Sequence, residues 1–125
     1  MVVLWLVGLI GVGIIFIGLR FLLDPAAGAI GFGVPVPPSD AYAYLLAKGT
    51  RDVASGLFVL AFLLFGWQRP LSALIGIATL IPVGDFITVL NYTRGRAKLP
   101  LLIHAGTALY MAVVAVLLWS TSAPK

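Results

Sequence analysis

The chain has 125 residues, of which 62% are apolar and only 10% are charged. A soluble domain of this length cannot hide so much apolar surface, because small domains have a high ratio of surface to volume. The lack of cysteine excludes disulfides and thiolate chemistry, and the net charge of +4 comes without a basic, aromatic-rich face that would indicate nucleic acid. The composition therefore predicts an integral membrane protein whose first partner is the lipid bilayer.

Four apolar runs predict an all-α protein, a single domain of four transmembrane helices in an up-down-up-down bundle. A spanning helix needs about 20 mostly apolar residues. The runs that meet this requirement are residues 2–23, 41–66, 71–92 and 101–119. The first run lacks the basic leading segment of a secretory signal and is longer than the apolar part of one. We therefore expect it to be a transmembrane helix and not a signal peptide that is cleaved off.

Prolines and glycines predict where the helices are interrupted. Residues 24–40 contain four prolines and three glycines, which predicts an interfacial loop, with Ser39 or Asp40 capping the next helix. Pro82 lies inside the third run and predicts a kink, because proline has no backbone N–H to donate. Residues 93–100 are predicted to form a basic loop. Since basic residues favour cytoplasmic loops, we expect both loops in the cytoplasm and both termini outside.

Tryptophans mark one end of the predicted bundle. Trp5, Trp67 and Trp119 each fall at a helix end, and the up-down order brings all three to the same side. Tryptophan is enriched at membrane interfaces, so these residues support the predicted spans. We name this side the tryptophan end, and the opposite side, with residues 24–40 and 93–100, the loop end.

Ionisable residues fall at one depth in all four predicted helices. The residues are Arg20, Asp52, Asp85 and His104, and each lies 15 positions from Trp5, Trp67, Pro70 or Trp119. At 1.5 Å rise per residue, each lies roughly 22 Å from the tryptophan end, inside the half of the bilayer nearer the loop end. Because a charge that faces lipid costs several kcal/mol, we expect these side chains to point into the bundle.

This layer predicts a candidate site. Asp85 and His104 are its predicted proton-handling, catalytic pair, since an acid and a base in a low-dielectric layer suit general acid–base chemistry. The predicted ligand-binding residues are Arg20, Asp24, Lys48, Arg51, Asp52 and Tyr110. Among these, Arg20 and Asp24 are spaced to form an i,i+4 ion pair. No metal-ligand spacing occurs, so we expect neither a metal nor a cofactor.

Two interpretations of the layer stay open. The charges either form an ion-pair network that fixes helix register, or they line a pocket for a lipid-like or small hydrophobic molecule, in which an isomerase or cyclase could work. Two other functions are compatible with the sequence. A small proton-coupled transporter would need a homo-oligomer, and an accessory subunit would need an exposed small-residue face on helix 4 or on helix 1, at Gly8, Gly11 and Gly18.

Four short motifs carry a resemblance to a known family. They are Gly18–Pro25 (GLRFLLDP), Lys48–Asp52 (KGTRD), Pro82–Asp85 (PVGD) and His104–Gly106 (HAG). Together they resemble the landmarks of an uncharacterised family of small four-span membrane proteins, a domain of unknown function. The layout is more distantly similar to DoxX-like proteins and to the sterol-isomerase superfamily, although this chain has no glutamate. The resemblance implies a fold and no particular activity.

Overall fold

The computed structural model describes residues 1–36 and 41–122. These residues form six α-helices and no strand, which confirms the predicted all-α class. The helices are α1 (Val2–Leu23), α2 (Pro25–Phe32), α3 (Ala41–Leu64), α4 (Gln68–Ala78), α5 (Leu80–Thr93) and α6 (Lys98–Thr121). The predicted cap at Ser39 or Asp40 lies outside the described residues.

Three segments of the described chain are long and apolar enough to cross a membrane, where the sequence predicts four. They are Val2–Leu23, Gln68–Thr93 and Lys98–Thr121. Helix α3 has 24 residues and is long enough. Its first half, however, carries Lys48, Arg51 and Asp52, which makes it more polar than the other three segments.

The interpretation of residues 24–40 as a loop is wrong for residues 25–32, which form the short helix α2. The Asp24 carboxylate caps this helix by accepting the N–H of Ala27 at 3.0 Å. Pro25 occupies the first turn, where its missing N–H costs nothing. Gly33 ends the helix with a φ of 106°, a conformation that glycine adopts without strain. Here proline and glycine mark the ends of a helix instead of preventing one.

The predicted kink near Pro82 takes the form of an interruption at Thr79, between α4 and α5. Pro82 has no N–H, so the carbonyl of Ala78 has no donor four residues ahead. The hydroxyl of the neighbouring Thr79 donates to the carbonyl of Ile75 at 3.0 Å, which also accepts the N–H of Thr79. The third predicted helix therefore consists of two consecutive helices, α4 and α5, within one apolar segment.

Helices α1 and α3 pack closely through two pairs of glycines. A Cβ atom at Gly18 would lie 2.7 Å from the carbonyl oxygen of Gly49, and one at Gly56 would lie 2.5 Å from that of Gly11. Only glycine allows such an approach, and small residues of this kind hold helices together in lipid, where no hydrophobic effect does so. Gly11 and Gly18 are therefore buried inside the protein. They do not form the exposed face that the accessory-subunit prediction requires on α1.

The main packed core lies at the tryptophan end. Its buried residues are Val7, Ile10, Val59, Leu71, Ile75, Met111, Val114, Ala115 and Leu118, from α1, α3, α4 and α6. A buried hydrogen bond of 2.7 Å from the Ser72 hydroxyl to the carbonyl of Ala115 joins α4 to α6. Helix α5 packs on α6 and has at most slight contact with α1 and α3. The pair α1–α3 and the pair α5–α6 therefore separate toward the loop end.

Candidate functional site

The space between the two helix pairs is a cavity of about 620 Å³. Side chains from all six helices line it, and most are apolar. The apolar lining includes Ile14, Phe16, Ile17, Phe21, Phe32, Phe58, Val59, Leu74, Ile75, Ile77, Leu80, Ile81, Ile103 and Met111. The cavity lies directly beside the core, because Val59, Ile75 and Met111 belong to both.

Five ionisable side chains line the same cavity. They are Arg20, Lys48, Asp52, Asp85 and His104, from α1, α3, α5 and α6. The structure thus brings together five of the predicted site residues, among them all four members of the layer that share one depth in the sequence. An apolar cavity with polar groups gathered in one part is the usual composition of a small-molecule site.

Lys48 and Asp52 form an ion pair within α3. The Lys48 Nζ lies 2.7 Å from a carboxylate oxygen of Asp52, one helical turn away. The same ammonium lies 4.8 Å from the ring centre of Phe21 and 5.8 Å from that of Phe32, within the range of cation–π attraction. The lysine is therefore held by one anion and two aromatic rings, and its charge is largely compensated inside the protein.

His104 connects α6 to α2 and faces Asp85. Its Nε2 lies 2.9 Å from the carbonyl oxygen of Phe32. A carbonyl only accepts, so in this bond Nε2 carries the proton. The opposite nitrogen, Nδ1, lies 3.9 Å from a carboxylate oxygen of Asp85. That distance is longer than a hydrogen bond, so both groups keep hydrogen-bonding capacity toward the cavity.

Arg20 lies under α2 and donates to the carbonyl oxygen of Ala27 at 3.3 Å. The predicted Arg20–Asp24 ion pair does not form, because Asp24 turns to cap α2. Within residues 1–36 and 41–122, the Arg20 guanidinium has no carboxylate within 4 Å. It is a cation on the cavity wall whose described partner is a neutral carbonyl.

Three predicted ligand-binding residues lie away from the cavity lining. Asp24 serves as the cap of α2. Arg51 is exposed and donates from Nε to the carbonyl oxygen of Ala47 at 3.3 Å. Tyr110 donates from its hydroxyl to the carbonyl oxygen of Leu6 at 2.9 Å, between α6 and α1. Asp52 lines the cavity and its neighbour Arg51 does not, because consecutive residues of an α-helix point about 100° apart.

Other polar and aromatic residues line the cavity that were not among the predicted site residues. Ser55 and Thr107 line the cavity, and each lies three residues after a predicted site residue, Asp52 or His104. That spacing places them on the same helix face and was the signal available in the sequence. Phe32 gave no such signal, because its segment reads as a loop. In the described part of the chain, no group of three His or Asp side chains could hold a metal ion.

Comparison with known proteins identifies a family. No curated protein and no solved structure matches the chain. A family model described as "Domain of unknown function (DUF4267)" matches residues 11–118, a range that contains all five ionisable residues of the cavity. The match confirms the resemblance to an uncharacterised family, whereas the DoxX-like layout stays a prediction. Because the match extends over most of its length, the chain belongs to the DUF4267 family, whose domain is one of unknown function.

Proposed function

We propose that this chain is a four-span integral membrane protein whose cavity binds a lipid-like or small hydrophobic molecule with a polar group. The observation that carries the proposal is that five ionisable side chains from four helices line one mainly apolar cavity. Ionisable groups at membrane depth are expensive, and they usually mark a functional site. A cavity of about 620 Å³ is also in the usual size range for small-molecule sites.

Helix α3 is the proposed fourth span. With 24 residues it is about 36 Å long, which exceeds the thickness of the hydrocarbon core. Two of its charged side chains, Lys48 and Asp52, neutralise each other at the cavity wall, and its glycines pack against α1. Arg51 is exposed near the loop end, where a long side chain reaches the interface by snorkelling. An up-down-up-down arrangement with both loops in the cytoplasm follows as part of this proposal.

The ligand is proposed to reach the cavity from the bilayer. Phe16, Phe58 and Leu80 line the cavity and are also largely exposed on the outside of the protein. They belong to α1, α3 and α5, so the apolar lining continues onto the surface that faces lipid. A molecule dissolved in the hydrocarbon could therefore enter between the helices without crossing water.

The chemistry that suits this site is the movement of a proton within the ligand, as in an isomerisation or a cyclisation. Asp85 and the Nδ1 atom of His104 face each other across 3.9 Å. With one proton on the pair, held by the Asp85 carboxyl, Nδ1 would take a proton from one atom of the ligand while Asp85 gives its proton to another. The proton on Nδ1 would then return to Asp85, so the pair is reset and the net reaction needs no cofactor. Arg20 and the Lys48–Asp52 pair would orient the polar group of the ligand.

The test is to extract the protein in mild detergent and identify its bound small molecules by mass spectrometry. We expect the wild-type protein to carry a hydrophobic molecule that Asp85→Asn and His104→Ala lose. Asp24→Asn is the matched control, because it changes a carboxylate outside the cavity and keeps the oxygen that caps α2. Folding is checked by helical circular dichroism and by size-exclusion chromatography.

Two results would count against the proposal. If the wild-type protein and both cavity variants are folded and carry the same molecules, the cavity residues do not bind them. If both variants unfold while Asp24→Asn does not, the charges fix helix register, and the interpretation as an ion-pair network explains them instead.

A further inference from the structure

A second concave surface lies at the loop end, on the other side of α2 from the cavity. This groove has a volume of about 520 Å³. One wall is the end of α2, at Ile30 and Gly33, with Pro35 just beyond it. The other wall runs from Tyr92 to Pro100 and consists of the end of α5, the connection and the start of α6. We name it the loop groove.

The loop groove is basic and has no acidic side chain among its described lining residues. Arg94 and Arg96 line it and are exposed. Within residues 1–36 and 41–122, neither guanidinium forms an ion pair. Two neighbouring guanidinium groups without a carboxylate suit a phosphate, which arginine binds through paired hydrogen bonds.

The backbone of the connection is held in place by its own hydrogen bonds. The N–H of Gly95 donates to Leu90 at 3.1 Å, and that of Arg96 donates to Thr93 at 3.1 Å. Arg94 has a φ of 52°, a left-handed conformation that is unfavourable for an ordinary residue. Glycine or asparagine would avoid this cost. The arginines are thus presented on an ordered turn, and Arg94 occupies a position where local backbone preference disfavours it.

The position of the loop groove indicates which kind of molecule it would contact. Thr93 ends one segment able to cross a membrane, and Lys98 begins the next, so the connection lies at the level of the lipid phosphates if these segments span. The rest of the lining includes apolar Ile30, Pro35 and Pro100, which suit the glycerol and upper acyl chain of a lipid better than a free, hydrated ion. Basic pockets between transmembrane helices bind anionic head groups in this way.

We infer that the loop groove binds the phosphate head group of an anionic phospholipid through Arg94 and Arg96. This inference rests on the membrane placement in the proposed function, but it does not depend on what occupies the cavity. The site is separate from the cavity, since none of the described residues lines both.

The test titrates the detergent-purified protein with phosphatidylglycerol and, separately, with phosphatidylcholine, and counts bound lipids by native mass spectrometry. The test variant is Arg94→Asn/Arg96→Gln, because asparagine tolerates the left-handed backbone at position 94. Arg51→Gln is the matched control, since it removes another exposed arginine from the same half of the protein. Each groove arginine should contribute about 5-fold, so the double variant should bind phosphatidylglycerol about 25-fold more weakly. The control and the binding of phosphatidylcholine should change less than about 2-fold.

Four results would overturn the inference. The wild-type protein could bind both lipids equally, or Arg51→Gln could lose as much affinity as the double variant, in which case the attraction is not local to the loop groove. Inorganic phosphate could displace phosphatidylglycerol at similar concentrations, in which case the ligand is a free anion. A double variant that stays monodisperse and keeps the wild-type affinity would show that the arginines take no part. Retention of the cavity's own ligand is measured in the same spectra, so failure of one site is distinguishable from failure of the other.

Discussion

His104 and Phe32 lie 72 positions apart in the sequence and are joined by a hydrogen bond of 2.9 Å between Nε2 and the carbonyl oxygen. The two rings also meet edge to face, with centres 5.0 Å apart. The bond satisfies a carbonyl at the end of α2, which no residue of α2 itself could do. It therefore holds the short helix against α6 and closes the loop end of the cavity.

Removal of this bond should loosen α2. The chain has no cysteine, so a single cysteine at the buried position Ala29 reports the opening of α2 to a water-soluble thiol reagent. We expect His104→Ala to raise the labelling rate of Ala29→Cys about 5-fold, the equivalent of one hydrogen bond of about 1 kcal/mol. His104→Gln, which keeps a donor, should raise it less. Equal rates in all three backgrounds would mean that the bond does not hold α2.

The glycine contacts between α1 and α3 should tolerate no side chain. A Cβ atom at Gly18 would lie 2.7 Å from backbone atoms of α3, which cannot move aside as a side chain does. We expect Gly18→Ala to lower the free energy of unfolding by about 1–3 kcal/mol, as overpacking does. Gly13→Ala is the control on the same helix, because a Cβ there meets nothing within 4 Å. Thermal unfolding in detergent measures both, and a loss in Gly13→Ala as large as that in Gly18→Ala would contradict the prediction.

Loss of one member of the Lys48–Asp52 pair should lower the free energy of unfolding more than loss of both members. Both side chains are mostly buried, with 27% and 17% of their surface exposed. Lys48→Met leaves the Asp52 carboxylate unpaired in an apolar cavity and should cost about 2 kcal/mol, less than a fully buried pair would. Adding Asp52→Asn removes the unpaired charge and should recover part of the loss. A double-mutant cycle on the unfolding midpoint tests this coupling, and strictly additive losses would exclude it.

Pro82→Ala should strengthen the helical hydrogen bonding across the junction between α4 and α5, where Thr79 already has a helical backbone. Alanine restores an N–H that can donate to the carbonyl of Ala78. Because Pro82 also lines the cavity, we expect slower hydrogen exchange around Thr79 together with weaker retention of the bound molecule. Exchange measured by mass spectrometry checks the first effect. If exchange at residues 78–83 does not change, proline is not the cause of the interruption.

Helix content was readable from the sequence, because it depends on local rules, and the depth predicted for the ionisable residues placed them near one another. An apolar run of about 20 residues forms a helix in lipid whatever surrounds it. The rise per residue then converts spacing into depth, and Arg20, Asp52, Asp85 and His104 do line one cavity. The helix α2 was missed because Pro25 and Gly33 read as breakers, when their positions at its two ends make them start and stop signals.

Only the tertiary structure decided which way each side chain points around its helix and which group on another helix it contacts. Asp24 had two possible partners, Arg20 and the backbone of Ala27, and the turn into α2 selected the backbone. Arg51 and Tyr110 donate hydrogen bonds to carbonyls away from the cavity. In the sequence, nothing distinguished them from the residues that line the cavity. A sequence lists donors and acceptors along one axis, whereas a hydrogen bond or an ion pair depends on which faces meet when separate helices pack.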